Sequence, residues 1–478
     1  MLSVKHNALA RSSAHGNRSA SRCSFALHHR RQTFIVIAAS SPSSDPDPNS
    51  STNRGFRILE RAGGILPQSL LVKSTKTAWR AAWKTMVVEL APQGKKSATG
   101  GGSDGSYQRP KASFTGELPP SSPFEADRYR FYLGNACPWC HRVLLALVVR
   151  GLTPAVAPIP GRGRRKSGTE EMKSPVTAMT DDPERASRGG WVFDETEKDP
   201  VFASRDLAGL YAAANGGSYS GRCTAPLLLD CQTRKIISND SDGMLKSLDA
   251  LDLSRSSASS SSSPSSLASR VLLRPKELSE EIDALNEEIY ANLSNGVYRC
   301  GFATEQPAYD AASRDVSRTL DGLEARLSGS RFLLGGKFTD ADLRLFPVIS
   351  RFDAVYVPLF RAAAEPVALR WPSVHAWCCD VARLDSSRDD GSDGNGGNDG
   401  NLSSPSSSFS SHRLGDTIDV AAAKKSYFTS LFPLNPSGIV PIGGGGEAAA
   451  ASWQGSEAAA ALAAKRGSAA VEAAFWLR

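Results

Sequence analysis

Arg128-Tyr129-Arg130-Phe131-Tyr132-Leu133-Gly134-Asn135-Ala136-Cys137-Pro138-Trp139-Cys140-His141 is the stretch on which the reading of this chain turns. Residues 128–133 alternate polar and apolar, the pattern of a strand. Asn135-Ala136 makes a short loop. Pro138 then opens a helix, because its fixed φ suits the first turn and its missing N–H falls where no partner exists anyway. Val143, Leu144, Leu147 and Val148 follow at helical spacing, and Gly151 stops the run. A cysteine just ahead of that first turn faces unpaired N–H groups and the positive end of the helix dipole, which both favour a thiolate. Cys137 is therefore the candidate nucleophile. Cys140, one turn deeper, is placed to reach it as a resolving thiol. A buried packing pair is the alternative, and the strand–loop–helix context weighs against it. His141 reads as a packed or solvated helix residue before it reads as a partner of the thiol.

Working outward, Ala155 to Pro160 is a short apolar strand candidate, and residues 161–190, polar and basic, read as a surface insertion. Structure resumes at Trp191-Val192-Phe193. Leu207, Leu210 and Tyr211 give a helix ended by Gly216-Gly217. Pro226 to Leu229 is a strand, Lys235 to Ser238 its returning partner, and Asp240-Ser241 caps a helix carrying Met244, Leu245 and Leu248. The order βαβ, helix, ββα is that of thioredoxin, so residues 124–252 are expected to form an α/β thioredoxin-like domain. In such a fold the Ala225-Pro226 bond is expected to be cis and to turn the Ala225 backbone toward a bound peptide; a plain strand-start proline is the alternative. The helix N-terminus at Asn239-Asp240-Ser241 suits a carboxylate, without excluding an ordinary cap.

Residues 253–270 form a Ser-rich insertion expected to be disordered. Residues 271–385 look wholly helical, with stripes Leu278-Ile282-Leu285-Ile289 and Val316-Leu320-Leu323-Leu327. Thr339 and Asp342 make a capping box, with Phe338 and Leu343 as its hydrophobic staple. Residues 386–415 are a low-complexity insertion, 416–442 an ordered tail, and 443–478 a Gly/Ala-rich tail forming a marginal helix or none. On the N-terminal side, residues 45–123 read as linker and extension without chemistry. Residues 1–44 carry six basic residues and no acid, the composition of a transit peptide or a disordered tail, with a plastid ahead of a mitochondrion or the cytoplasm as destination.

The formal net charge of +7 is thus largely N-terminal. No basic stripe with interleaved aromatics supports nucleic-acid binding. The best apolar run, Phe34 to Ala39, falls far short of the roughly 18 residues that span a bilayer. Eight cysteines in 478 residues are sparse for a disulfide framework and fit a reducing compartment with one redox pair. Cys378-Cys379, adjacent and with His375 alone nearby, give poor ligand geometry, so no metal is expected. Cys223, Cys231 and Cys300 read as small packing residues. From spacing alone Tyr298 and Tyr356 read as core, and Arg351 with Asp353 as an ion pair.

The residues now resemble a known family. Arg128 to Leu133 leading into Cys-Pro-Trp-Cys, Gly190-Trp191-Val192-Phe193-Asp194, Tyr219-Ser220-Gly221-Arg222 with Ala225-Pro226, and Ser238-Asn239-Asp240-Ser241 look like the glutathionyl-hydroquinone reductases, the Xi-class glutathione transferases. Tyr298-Arg299-Cys300-Gly301-Phe302, Phe338-Thr339-Asp340-Ala341-Asp342, Arg351-Phe352-Asp353-Ala354-Val355-Tyr356 and Asn435-Pro436-Ser437-Gly438-Ile439-Val440-Pro441 agree in order, so the match runs from about Phe124 to Ile442. The resemblance implies an all-α glutathione-transferase C-terminal domain and glutathione as co-substrate. It implies that Cys137 attacks the sulfur of a glutathionyl-hydroquinone and that a second glutathione resolves the mixed disulfide. It makes Tyr298 and Tyr356 the catalytic tyrosines, overturning their core reading. Trp139, Ala225 and Pro226 would hold glutathione, with Asp240 and Ser241 at its γ-glutamyl end. A homodimer and aromatic quinol conjugates are the implied partners. Two departures stand out: Cys140 where the family usually has Ala, which opens an omega-like or glutaredoxin-like thiol-transferase reading, and Asp240 where it has Glu.

Overall fold

A computed structural model of the chain describes residues 68–91, 104–119, 124–125, 127–160, 174–195, 198–253, 271–385, 413–442, 465–466 and 474–477. The expectations for residues 1–44, 254–270 and 386–412 lie outside them. The chain divides into two units, Met1–Lys73 and Ser74–Arg478. The first is described only over residues 68–73, where helix α1 (Gln68–Leu90) begins.

Within the second unit, β1 (Tyr129–Gly134) leads through Asn135-Ala136-Cys137 into α2 (Pro138–Val149), as the alternation and the proline require. The parallel partner of β1 is not Ala155–Pro160, which forms no strand. It is β2 (Val176–Asp181), paired Phe131 to Val176 through Gly134 to Met179. That corrects the surface-insertion reading over residues 174–190, while 161–173 lie outside the described residues. The strand's alternation is muted because only Met179 on it is buried, and the basic run before it masks the rest. β3 (Trp191–Val192) turns back antiparallel on β2. Helix α3 (Leu207–Ala214) follows, capped by Asp206 accepting from Gly209 N at 2.7 Å. Then come β4 (Leu227–Asp230), β5 (Lys235–Ser238) and α4 (Ser241–Ala250). The sheet order β3-β2-β1-β4-β5, with only β1 and β2 parallel, is thioredoxin-like.

All twelve residues of α2 are buried, between α4 and a helix of the second half. A helix covered on all sides must be apolar nearly all round, and here ten of the twelve residues are, including all seven from Val143 to Val149. Its exceptions, His141 and Arg142, are each hydrogen-bonded. The buried Arg150 just beyond gives its guanidinium to Asp249 O, Leu251 O and Val271 O.

The second half is helical as expected, apart from β6 (Val271–Leu272). It runs through α5 (Ser279–Ile289), α6 (Gly296–Gly301), α7 (Gln306–Gly329), α8 (Asp340–Arg351), α9 (Val367–Arg370) and α10 (Pro372–Arg383). Wide helical turns at 290–294 and 352–356 link α5 to α6 and extend α8. The stripe Val316, Leu320, Leu323 and Leu327 is buried. The capping box forms, with the Asp342 carboxylate accepting from Thr339 N at 3.0 Å, and Phe338 and Leu343 are both fully buried. After residue 413 the chain makes a turn at Leu414–Thr417 and α11 (Val420–Ser430), which packs on α8 and the 352–356 turn. Of the Gly/Ala-rich tail only residues 465–466 and 474–477 are described, and the expectation for the rest of 443–478 lies outside them. β7 (Trp476–Leu477) pairs with β6, and Phe475 packs on Phe338 with ring centroids 5.1 Å apart.

Asp342 ties this half together. Fully buried, it also accepts from Leu333 N and from Trp377 Nε1 at 2.9 Å. Burial pushes its carboxyl up to about 6 against those hydrogen bonds. Asp342→Ala would strand these three donors and the Thr339 hydroxyl, which also bonds the carboxylate, so urea denaturation should show a loss of about 3 kcal/mol or more of unfolding free energy. A loss within measurement error would contradict this account of the cap.

Candidate active site

Cys137 is the N-cap of α2, in extended conformation, and its Sγ accepts the Cys140 backbone N–H at 3.4 Å. The Ala225-Pro226 bond is cis as expected, and Ala225 O lies 3.8 Å from that sulfur. Burial alone would keep the thiol neutral. The hydrogen bonds from the Cys140 thiol and N–H, then the charges of Arg109 and Arg351, outweigh it and bring the Cys137 thiol down to about 7. Cys140 is fully buried, and burial together with its bond to Cys137 pushes its own thiol well above the usual range. The pair is asymmetric: one sulfur ionised near neutrality, its neighbour a protonated donor.

Trp139 is nearly buried. The guanidinium of Arg109 sits 4.1 Å from its ring centroid and that of Arg142 4.9 Å. Arg142 also donates two hydrogen bonds to the Ser241 hydroxyl, from Nε at 3.0 Å and from Nη2. Asp240 caps α4, accepting from Asp242 N and Gly243 N. Asn239 fastens this corner, accepting from Ser113 N and Phe114 N and donating to Tyr211 Oη and Thr224 Oγ1. A cavity of about 740 Å³ opens here, lined by Arg109, Trp139, Ala225, Pro226, Asp240 and Ser241 among others. It unites every binding residue nominated from the sequence. Cys137, Tyr298 and Tyr356 do not line it; the sulfur lies against its wall at Ala225.

The tyrosines sit beside Trp139. The Tyr298 ring is 6.4 Å from Trp139 and 6.0 Å from Tyr356. Tyr298 Oη and Tyr427 Oη share a hydrogen bond of 2.6 Å, and the Tyr427 ring stands edge-on to Tyr356. Tyr356 Oη is buried with no hydrogen bond completed. Burial pushes the pKa of all three phenols up, so each stays protonated and remains a donor at neutral pH.

His141 is buried and bonded to Thr417 and Arg351, the packed reading. Arg351 and Asp353 are not an ion pair. Asp353 accepts from Val367 N and Ala368 N, while Arg351 turns to backbone carbonyls. Sequence reasoning missed Arg109, Arg142 and Tyr427. Arg109 belongs to an extension read as free of chemistry, and no motif or periodicity marked it. Tyr427 stands on a helix recognised only as ordered. Arg142, next to the Cys-Pro-Trp-Cys turn, is the one that position could have flagged. Among the described residues no cluster of His, Cys, Asp or Glu is arranged to hold a metal ion, and no helix is long and apolar enough to cross a membrane.

The sheet, the helix-capping cysteine and the helical half define a glutathione transferase, and a model of the glutathione S-transferase C-terminal domain matches residues 306–378. The chain is 32% identical over 344 residues to the glutathionyl-hydroquinone reductase PcpF of Sphingobium chlorophenolicum, covering 71% of this chain and 90% of that protein. It superposes on the Xi glutathione S-transferase of Phanerochaete chrysosporium with a TM-score of 0.54 at 29% identity, covering 70% of this chain and 97% of the other. The glutathione-bound structure of YqjG from Escherichia coli K-12 matches with a TM-score of 0.52 at 28% identity, over 69% and 92% of the two chains. The chain thus belongs to the glutathionyl-hydroquinone reductases, the Xi class of glutathione transferases, and is an enzyme of that family.

The ultraviolet absorbance of the thiolate should titrate with a midpoint of about 7, the anion present above and lost below. Cys140→Ala removes the thiol donor but keeps the backbone N–H, so the midpoint should rise by about one unit. A midpoint unmoved by Cys140→Ala would show that the thiol hydrogen bond contributes nothing.

Proposed function

We propose that this chain reduces glutathionyl-hydroquinones with Cys137 as nucleophile. The observation that carries the reading is a sulfur ionised near pH 7 at a helix N-terminus with buried phenols beside it. The Cys137 thiolate attacks the glutathionyl sulfur. The carbon–sulfur bond breaks, the ring carbon takes a proton, and the hydroquinone leaves while Cys137 keeps a disulfide to glutathione. A second glutathione thiolate attacks that disulfide, releases oxidised glutathione and restores the Cys137 thiolate, so two glutathionyl sulfurs are oxidised as one aryl carbon is reduced.

Tyr298 and Tyr356 donate to the quinol oxygens and support protonation of the ring carbon, with Tyr427 fixing the Tyr298 hydroxyl. Glutathione occupies the 740 Å³ cavity. Trp139, Ala225 and Pro226 line its length, and Asp240 and Ser241 meet its γ-glutamyl end. The glutathione-bound relative supports that placement, as do the Arg109 and Arg142 cations facing a ligand with two carboxylates. A homodimer and a plastid address, the latter resting on the acid-free residues 1–44, belong to the same reading.

A second reading rests on Cys140. Its thiol, bonded to Cys137, could attack the mixed disulfide once deprotonated, expelling glutathione and leaving a Cys137–Cys140 disulfide for two further glutathiones to reduce. That is omega-like or glutaredoxin-like thiol transfer. Intact hydroxyethyl-disulfide reduction by Cys140→Ala would sink it.

Steady-state turnover of glutathionyl-menadiol tests the lead reading. The wild type should turn it over and Cys137→Ser should not; the reverse of either result rejects the assignment. Tyr298→Phe and Tyr356→Phe should each lower kcat on this substrate by about a hundredfold. Their hydroxyethyl-disulfide reduction should change little, since no carbon is protonated there. Equal losses on both substrates would make the tyrosines structural.

A further inference from the structure

Arg351, the last residue of α8, has no exposed surface. Its Nε donates to Ala136 O at 3.0 Å, its Nη2 to Asn135 O at 2.7 Å and its Nη1 to Pro347 O at 2.9 Å. Nη1 also meets His141 Nδ1 at 2.9 Å. A guanidinium has no acceptor, so Nδ1 must accept and the histidine proton must sit on Nε2. Nε2 then donates to Thr417 Oγ1 at 2.7 Å, and the Thr417 hydroxyl passes on to Leu414 O. Burial and the Arg351 charge hold His141 well below its ordinary range, so the ring is neutral.

Every one of these acceptors is uncharged. Among the described residues no carboxylate lies within ion-pair distance of Arg351, whereas Arg274, Arg331 and Arg344 each pair with a buried aspartate. A buried guanidinium without an anion is costly. The two carbonyls it grips belong to the residues directly before Cys137. The loop they form is held from its other side as well, Asn135 exchanging hydrogen bonds with Asp419 O and Asp419 N.

We propose that Arg351 is a positioning residue for the Cys137 reaction, clamping the Asn135-Ala136 backbone from the helical half and supplying a fixed buried cation that favours the Cys137 thiolate. The other titratable or charged groups that act on that sulfur are Arg109 from the N-terminal extension, Cys140 on α2, and Tyr298 and Tyr356 from the helical half, with His141 bonded to Arg351 and Tyr427 to Tyr298 behind them. His141 is fixed neutral, Cys140 and the phenols are protonated, and Arg109 stands over the Trp139 ring. Arg351 is therefore the enclosed charge of the set. Its field also favours the anionic forms of Tyr356 and Tyr427.

The inference rests on Cys137 being the nucleophile, and its test reads the thiolate directly. The pH dependence of iodoacetamide alkylation at Cys137 is measured in the full chain, whether or not glutathionyl-hydroquinones prove to be substrates. Arg351→Gln keeps hydrogen-bonding capacity and removes the charge, so the midpoint should rise by about one unit. Arg351→Lys keeps the charge but loses the fork. Its midpoint should stay within about half a unit, while kcat on glutathionyl-menadiol, or on hydroxyethyl disulfide if the former is not turned over, falls about tenfold with KM for glutathione unchanged. A folded Arg351→Gln chain with the wild-type midpoint overturns the proposal. Should that chain fail to fold, Arg351→Lys decides alone, and a wild-type kcat in it overturns the proposal.

Discussion

The sulfur of Cys137 sits at the start of a helix that is buried along its whole length, and the other features of the site follow from that constraint. The open end of α2 presents unpaired N–H groups, one of which bonds the sulfur. Because α2 is caught between α4 and α8, the chain cannot place this sulfur without both halves of the molecule. Arg142 reaches Ser241 at the start of α4, and Arg344 on α8 pairs with Asp242 one residue further on. Arg351 reaches from α8 to the loop ahead of the cysteine. The sheet half supplies the thiol, and the helical half supplies the charge and hydroxyls around it.

The two cysteines show how one motif yields unlike chemistry. Cys140 has no solvent exposure, and its thiol shares a hydrogen bond with Cys137. That bond raises one thiol and lowers the other, so the pair holds one proton firmly at neutral pH. A chain with alanine at this position would keep the backbone donor and lose the thiol donor. The cysteine at position 140 therefore tunes its neighbour even where it takes no part in turnover.

Much of this was legible in the sequence because it is written in local patterns. Proline after the cysteine, the alternation of β1, the Thr339–Asp342 box and the β4–β5 return all depend on residues within a few positions of each other. Trp139, Ala225, Pro226, Asp240 and Ser241 could be nominated for the same reason, and the fold places them on one cavity. What escaped depends on distant parts of the chain. β2 gains its identity from pairing with β1, with a single buried side chain to betray it. Arg109 is an ordinary surface cation until Trp139 lies beneath it. Tyr427 meets Tyr298 across 129 positions, and β7 finds β6 across more than two hundred. Arg351 misled in the opposite way. Asp353 two residues on suggested a partner, yet successive positions around a helix turn point apart, and each found backbone instead.

The proposed reaction is covalent chemistry at one atom, the Cys137 sulfur. Mass spectrometry of the intact chain after brief exposure to a glutathionyl-quinol, without free glutathione, tests it most directly. One glutathione should be found attached per chain, mapped to Cys137 and discharged by added glutathione. An unmodified Cys137, or an adduct carried by another cysteine, would contradict it.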